Sequence, residues 1–196
     1  MRSKSDAGPA LTRTQRARRD DIVGAAIAII NRDGYAAASI DKIAREAETS
    51  KSTVLYHFKT KEAINEALVG ALFEDGASAM APHITGAETY VEKLRAYLTS
   101  NLRYIAGHAA HVSAVHRILE NTDLRPPGDD PVAWLARFLA DGQEAGEFGA
   151  FDPHVLALSI RAVIDNASFY FTAHPDLDFD HYIGEITRLF DRAVRS

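Results

Sequence analysis

Twenty residues, Ser39 to Phe58 (SIDKIAREAETSKSTVLYHF), constrain this chain more than any other stretch, because they write two short helices and a tight turn. Ile40, Ile43, Ala44 and Ala47 fall at i, i+3, i+4 and i+7, one apolar stripe on a helix, with Ser39 where an N-cap oxygen is needed. Glu48 and Thr49 form the turn, Ser50 caps a second helix, and Val54, Leu55 and Phe58 supply its inward face. Thr49, Lys51, Ser52, Thr53, Tyr56 and His57 are left for the outward surface. Side chains of these types reach base edges and phosphates from the first turns of a helix lying in a major groove. A helical hairpin inside an ordinary core is the plain alternative. The absence of acids from Thr49 to Lys61, and a basic segment upstream, count against it.

The run IDKIAREAETSKSTVLYHFKTKEAI resembles the DNA-binding signature of TetR-type transcriptional regulators. IVGAAIAIINRDGY, just upstream, resembles that family's first helix and its Gly-Tyr exit, so the resemblance covers Asp20 to Leu68. It departs at the turn, where the family usually carries Gly and an apolar residue and this chain has Glu48 and Thr49. It departs again where the family's frequent phosphate-binding Tyr aligns with Leu55, leaving Tyr56 one position later. The resemblance implies a phosphate contact for Lys61 at the start of a fourth helix, whose positive end also favours an anion. It further implies dimerisation through the last two helices and an effector site in the body.

Charge is divided unevenly along the 196 residues. Residues 1–61 hold 12 Lys and Arg against 7 Asp and Glu, whereas residues 62–196 hold 10 against 20, so a head of +5 precedes a body of −10. That asymmetry suits a protein presenting one part to nucleic acid. With no cysteine, disulfides, thiolate catalysis and cysteine-bound metals are excluded. The longest near-apolar run, Ile22 to Ile30, is far too short to span a bilayer, and no apolar leader opens the chain, so the expected address is the cytoplasm.

Read in order, residues 1–15 form an expected disordered basic arm, 16–60 a helix-turn-helix DNA-binding domain, and 61–196 an effector-binding and dimerisation domain. Arg13, Arg16, Arg18 and Arg19 carry the arm's charge toward phosphates, with Arg16 the expected contact. The first helix buries Ile22, Ala25, Ala26, Ile29 and Ile30 and stops at Gly34. Helical patterns follow at 60–80, 87–107, 109–122, 132–145, 153–173 and 179–194, separated by Pro- and Gly-rich breaks, with no alternating strand pattern. The fold class is therefore all-α, with about nine helices. The run Val155 to Phe171 is apolar around most of its circumference, which calls for burial on two sides and hence a second copy of the chain. The expected dimer seam comprises Val163, Phe169, Tyr170, Tyr182, Ile186, Leu189 and Phe190.

Neither GxxxxGK, GxGxxG nor HExxH occurs, so no catalytic residue, cofactor or metal is expected. His108 and His111, at i and i+3 on one helical face, have no carboxylate at ligand spacing beside them, and with His116 they are expected in a core or cavity. Tyr97, Tyr104, His111, Val115, Trp134, Phe138, Asn166 and Phe169, from four helices, are the candidate lining of an effector pocket, though plain core explains each one singly. The function that follows is a dimeric transcriptional repressor, released from palindromic double-stranded operator DNA by a small, largely apolar effector. A ligand-independent regulator or an activator of the same fold is the alternative, and a helical enzyme with a vestigial head the remote one.

Overall fold

Thr12 opens the first helix with a reciprocal box, its Oγ1 accepting from the Gln15 amide (3.2 Å) while Gln15 Oε1 accepts from the Thr12 amide (2.9 Å). The computed structural model describes residues 11–195. Among them are eight α-helices, one 3₁₀ turn and no strand: α1 (Arg13–Asp33), the 3₁₀ turn (Tyr35–Ala37), α2 (Ile40–Glu46), α3 (Lys51–Phe58), α4 (Lys61–Thr85), α5 (Tyr90–Asn121), α6 (Pro131–Glu144), α7 (Pro153–Ala173) and α8 (Phe179–Ala193). The chain divides into two compact units, 1–68 and 69–196, and passes from one to the other within α4.

In the first unit α1 packs against α2, the 3₁₀ turn and α3, and α2 against α3. Ile22, Ala25, Ala26, Ile29 and Ile30 of α1 are buried, as expected from their spacing, together with Ile43, Ala44, Val54 and Phe58. Each large side chain taken from water here contributes about 1.5–3 kcal/mol. α1 ends where Gly34 takes a φ of 88°, a conformation that side chains oppose. Ser39 and Ser50 cap α2 and α3, their hydroxyls accepting from the Lys42 amide (3.3 Å) and the Thr53 amide (3.1 Å). Of the expected basic arm, residues 1–10 lie outside the described residues, and Arg13, Arg16, Arg18 and Arg19 stand on helix α1. Thr12's capping box begins the helix before them.

In the second unit α7 packs against α5 and α6, and α5 also packs against α8. Leu94, Leu98, Leu102, Ile118, Leu135, Leu139, Ala157 and Ile160 are fully enclosed there. Asp130, Asp152 and Asp178 cap α6, α7 and α8, and proline occupies the first turn of α6 and of α7, where no amide is missed. The helices expected at 87–107 and 109–122 are one helix, α5, kinked at His108 (φ −131°, ψ 23°). The His108 ring explains the kink: Nδ1 lies 2.8 Å from the Tyr104 carbonyl oxygen, so the side chain takes a place in the helical ladder. α4 likewise runs past its expected end near Met80, through Pro82 to Thr85. So close to the terminus a proline removes one ladder bond, and Thr85 Oγ1 donates to the Ala81 carbonyl (2.9 Å) in that last turn.

Candidate nucleic-acid interface

α3 has two distinct faces. Val54 (0% exposed) and Phe58 (3%) point into the head, and Lys51, Ser52, Leu55 and Tyr56 are exposed, Tyr56 to 72%. Thr53 and His57 are half-buried at the border, the His57 ring edge-on to Tyr56 at 5.1 Å, and Thr49 is half-buried in the turn. Leu55, expected to point inward, is 37% exposed. At about 100° per residue, Leu55 stands roughly 80° from the mean direction of Val54 and Phe58, at the edge of the buried face. Ser50 Oγ sits 2.8 Å from both Ser52 Oγ and Thr53 Oγ1, so the first turn of α3 carries a cluster of hydroxyls. Two side-chain-bearing residues with positive φ bracket this helix, Glu48 (48°) in the turn and Lys59 (49°) at its C-cap.

Two of the head's cations are used internally. Arg19 Nη1 donates to the His57 carbonyl at 2.6 Å, and its guanidinium lies 4.0 Å from the centre of the Phe58 ring. It therefore satisfies the C-terminal end of α3, where carbonyls lack helical partners. Lys61, expected at a phosphate, donates from Nζ to the Tyr35 carbonyl (3.0 Å) and stands 3.9 Å from the Tyr35 ring centre, while Asn65 Nδ2 donates to the Tyr35 hydroxyl (3.1 Å). Burial lowers the Lys61 pKa from its ordinary value, with Glu62 opposing. The ammonium is thus held against the Tyr35 carbonyl and ring at the start of α4. Arg16 remains exposed on α1. Lys51 Nζ donates to Asp41 Oδ2 at 3.0 Å, and Arg32 is paired with Glu46 at 3.0 Å.

The body scatters the expected effector lining. Tyr97, Trp134 and Phe138 do come together, with ring centres 5.5 Å and 5.9 Å apart along the series. Tyr104 is elsewhere, its hydroxyl donating to the Leu72 carbonyl (3.1 Å) and its ring stacked on His108 at 4.2 Å. Val115 is plain core at 1% exposure and His111 is half-buried. Asn166 and Phe169 are exposed, which removes them from an interior lining. α7 buries Ala157, Ile160, Ile164, Ala167, Ser168 and Phe171, and Asn166 stands roughly 200° around the helix from Ile164 and from Ser168. His116 packs on Phe169 (5.4 Å), away from His108, and no group suited to a metal exists among the described residues. Sequence reading missed Arg161, the one cation in the apolar run of α7. Its side chain is only 17% exposed, Nη1 donates to the Tyr97 hydroxyl (3.1 Å), Nη2 pairs with Asp165, and Nε is buried without a partner. The concavity of about 560 Å³ in the head, lined by Arg18, Asp21, Glu46 and Glu48 among others, is charged and open.

Of the expected dimer seam, Phe169 (36%), Tyr170 (37%) and Leu189 (57%) are exposed, and Val163, Tyr182 and Ile186 half-buried, with Tyr170 and Tyr182 stacked at 5.4 Å. Phe190 is 4% exposed and belongs to the body's own core, because α8 turns it and Ile183 inward. Val155 (59%) and Leu158 (54%) add to the outward face of α7.

Two short serine-capped helices across a turn, the second with a polar outward face, define a helix-turn-helix protein with a separate all-α body. Residues 22–68 match the family described as "Bacterial regulatory proteins, tetR family". The N-terminal part of the chain is thus a domain of that family. It is 32% identical over 147 residues to the A-factor receptor protein of Streptomyces griseus, covering 72% of this chain and 50% of that protein. The match thus spans about half the length of that curated relative. Among solved structures, a tetR-family regulatory protein from Rhodococcus RHA1 shares the fold with a TM-score of 0.78 at 21% identity, covering 91% of this chain and 97% of that one. AibR, in complex with isovaleryl coenzyme A and operator DNA, does so with a TM-score of 0.73 at 20% identity, covering 88% and 97%. No described helix is long and apolar enough to cross a membrane.

Proposed function

We propose that the chain is a cytoplasmic transcriptional regulator without catalytic activity: a dimeric repressor that reads palindromic double-stranded DNA with α3 and is released by a small effector bound in the body. The observation that carries this is the outward face of α3, where Lys51, Ser52 and Tyr56 are exposed while Val54 and Phe58 anchor the helix. Thr49, Thr53 and His57 border that surface, and Arg16 on α1 and Lys61 at the start of α4 supply phosphate contacts beside it. The homodimer forms through the exposed side chains of α7 and α8, Val155, Leu158, Phe169, Tyr170 and Leu189. The effector site is built around Tyr97, Trp134 and Phe138, with Arg161 as its polar exception, so the ligand is largely apolar and carries one hydrogen-bond acceptor. That AibR forms a complex with isovaleryl coenzyme A and operator DNA supports a regulator that takes both DNA and a small molecule. Coupling passes through α4, within which the chain goes from head to body. A preference of the effector for the released state of about 1–3 kcal/mol weakens DNA binding roughly 5–150-fold.

Selection from a random duplex library with the full chain tests this. It should enrich a palindrome whose half-sites lie about 34–36 Å, or a multiple of it, apart. Compounds that raise the melting temperature should then release the enriched duplex. No enrichment refutes the DNA reading. Enrichment with stabilising compounds that never release the duplex leaves a regulator and removes the effector.

A further inference from the structure

Lys51 opens the reading helix, yet its ammonium is not presented bare: Nζ is 3.0 Å from Oδ2 of Asp41, in the first turn of α2. Both side chains are exposed, 56% for Lys51 and 63% for Asp41, so the pair closes in solvent. α2 does not need this carboxylate as a cap, because Ser39 supplies the N-cap oxygen. Nor does the head lack charges that could be left unopposed at no cost to packing. A carboxylate at a DNA-facing rim repels phosphate, and it cancels a cation that would otherwise release counterions on binding any duplex. What it can add is discrimination. An exposed ion pair is weak and easily exchanged. A lone phosphate offers Lys51 little more than Asp41 does, whereas N7 and O6 of a guanine offer two acceptors at a defined position in the major groove.

We propose that Asp41 is a positioning residue for specificity: it holds Lys51 off the phosphates of non-cognate DNA and yields it to an acceptor-bearing base edge at the cognate site. This rests on the DNA-reading function above. The two are separable because the test begins on random-sequence duplex and requires no known operator.

The full chain, Asp41→Asn, Asp41→Glu, Lys51→Met and the double variant Asp41→Asn/Lys51→Met are titrated with a labelled random duplex between 50 and 200 mM salt, and their melting temperatures are compared. Asp41→Asn should steepen the slope of log K against log salt by about 0.9, which is about 3.5-fold more affinity gained on going from 200 to 50 mM. Asp41→Glu should keep the wild-type slope, and all variants the wild-type melting temperature to within a degree or so. In the Lys51→Met background, Asp41→Asn should leave the slope unchanged, since no cation is freed. Duplex selection with Asp41→Asn should return a flatter motif than wild type. A wild-type slope in Asp41→Asn, steepening that persists without Lys51, or an unaltered motif each overturns the role of Asp41. A wild-type chain with no salt-dependent affinity for any duplex overturns the DNA reading itself, and the role with it.

Discussion

Replacing Arg19 by Met separates two roles that a basic residue ahead of a helix-turn-helix can have. If Arg19 met phosphates, its loss would lower the salt slope of DNA binding by about 0.9 and leave folding untouched. The structure gives it other work: Nη1 donates to the His57 carbonyl at 2.6 Å and the guanidinium lies 4.0 Å from the Phe58 ring centre. A hydrogen bond from a charged donor contributes about 1.5–3 kcal/mol, and a half-exposed cation–π contact about 0.5–1 kcal/mol. The two share one side chain, and Met retains part of the packing, so a net loss of about 2 kcal/mol is expected. For a chain of this length that lowers the melting temperature by about 4–8 °C. Arg19→Lys should recover less than half of it, since an ammonium can reach the carbonyl or the ring but lacks the planar fork. Thermal unfolding by circular dichroism reads the loss, and anisotropy titrations read the slope. A normal melting temperature with a reduced slope would refute the clamp and return Arg19 to the phosphates.

Other positions give equally direct outcomes. Gly142→Ala should destabilise by about 1 kcal/mol or more, because a Cβ there runs into the buried Phe148 ring and overpacking outweighs the helical gain of alanine; Gly24→Ala, with nothing within 4 Å, should stabilise, and equal gains at both sites in urea denaturation would contradict the packing. Glu48→Gly should stabilise by about 0.5–1 kcal/mol by relieving the positive φ in the turn, and an unchanged urea midpoint would show that the turn bears no such strain. Burial, with Arg161 assisting and Asp165 and Glu120 opposing, holds the His116 pKa below its ordinary value of about 6.5. The folded chain therefore takes up that proton later than the unfolded chain, so stability is full above about pH 6.5 and falls as pH drops through the folded pKa. His116→Gln should flatten that part of the profile, and an imidazole titrating above 6.5 by NMR would reverse the sign.

The head was legible in the residues because its determinants are local. Ser39 and Ser50 stand next to the helices they cap, and Ile22, Ile29, Ile43 and Val54 recur at helical spacing. What could not be read there was the destination of long side chains. Arg19 reaches a carbonyl 38 positions away and Lys61 one 26 positions away, and nothing in their neighbourhood marks them off from cations facing solvent. The body failed in a different manner. Between Val155 and Phe171 apolar residues surround the helix, so the pattern does not tell which side is inward, and Asn166 was assigned to the wrong one. Arg161 was visible as the lone cation of that run, but its partner Tyr97 is 64 positions away. At His108, where two helices were expected to meet, a ring on a carbonyl lets one kinked helix continue.

The division of α3 into an anchored face and an open one bears on how such a protein changes over generations. Val54 and Phe58 are committed to the core, while Lys51, Ser52, Leu55 and Tyr56 have no place in it. Substitutions at those four positions fall in the range of surface changes, about ±0.5 kcal/mol, and leave the fold intact while rewriting what the helix meets. A duplicated copy of the gene could therefore drift to a new address on the chromosome through a handful of exchanges, each one tolerated, without passing through an unfolded ancestor.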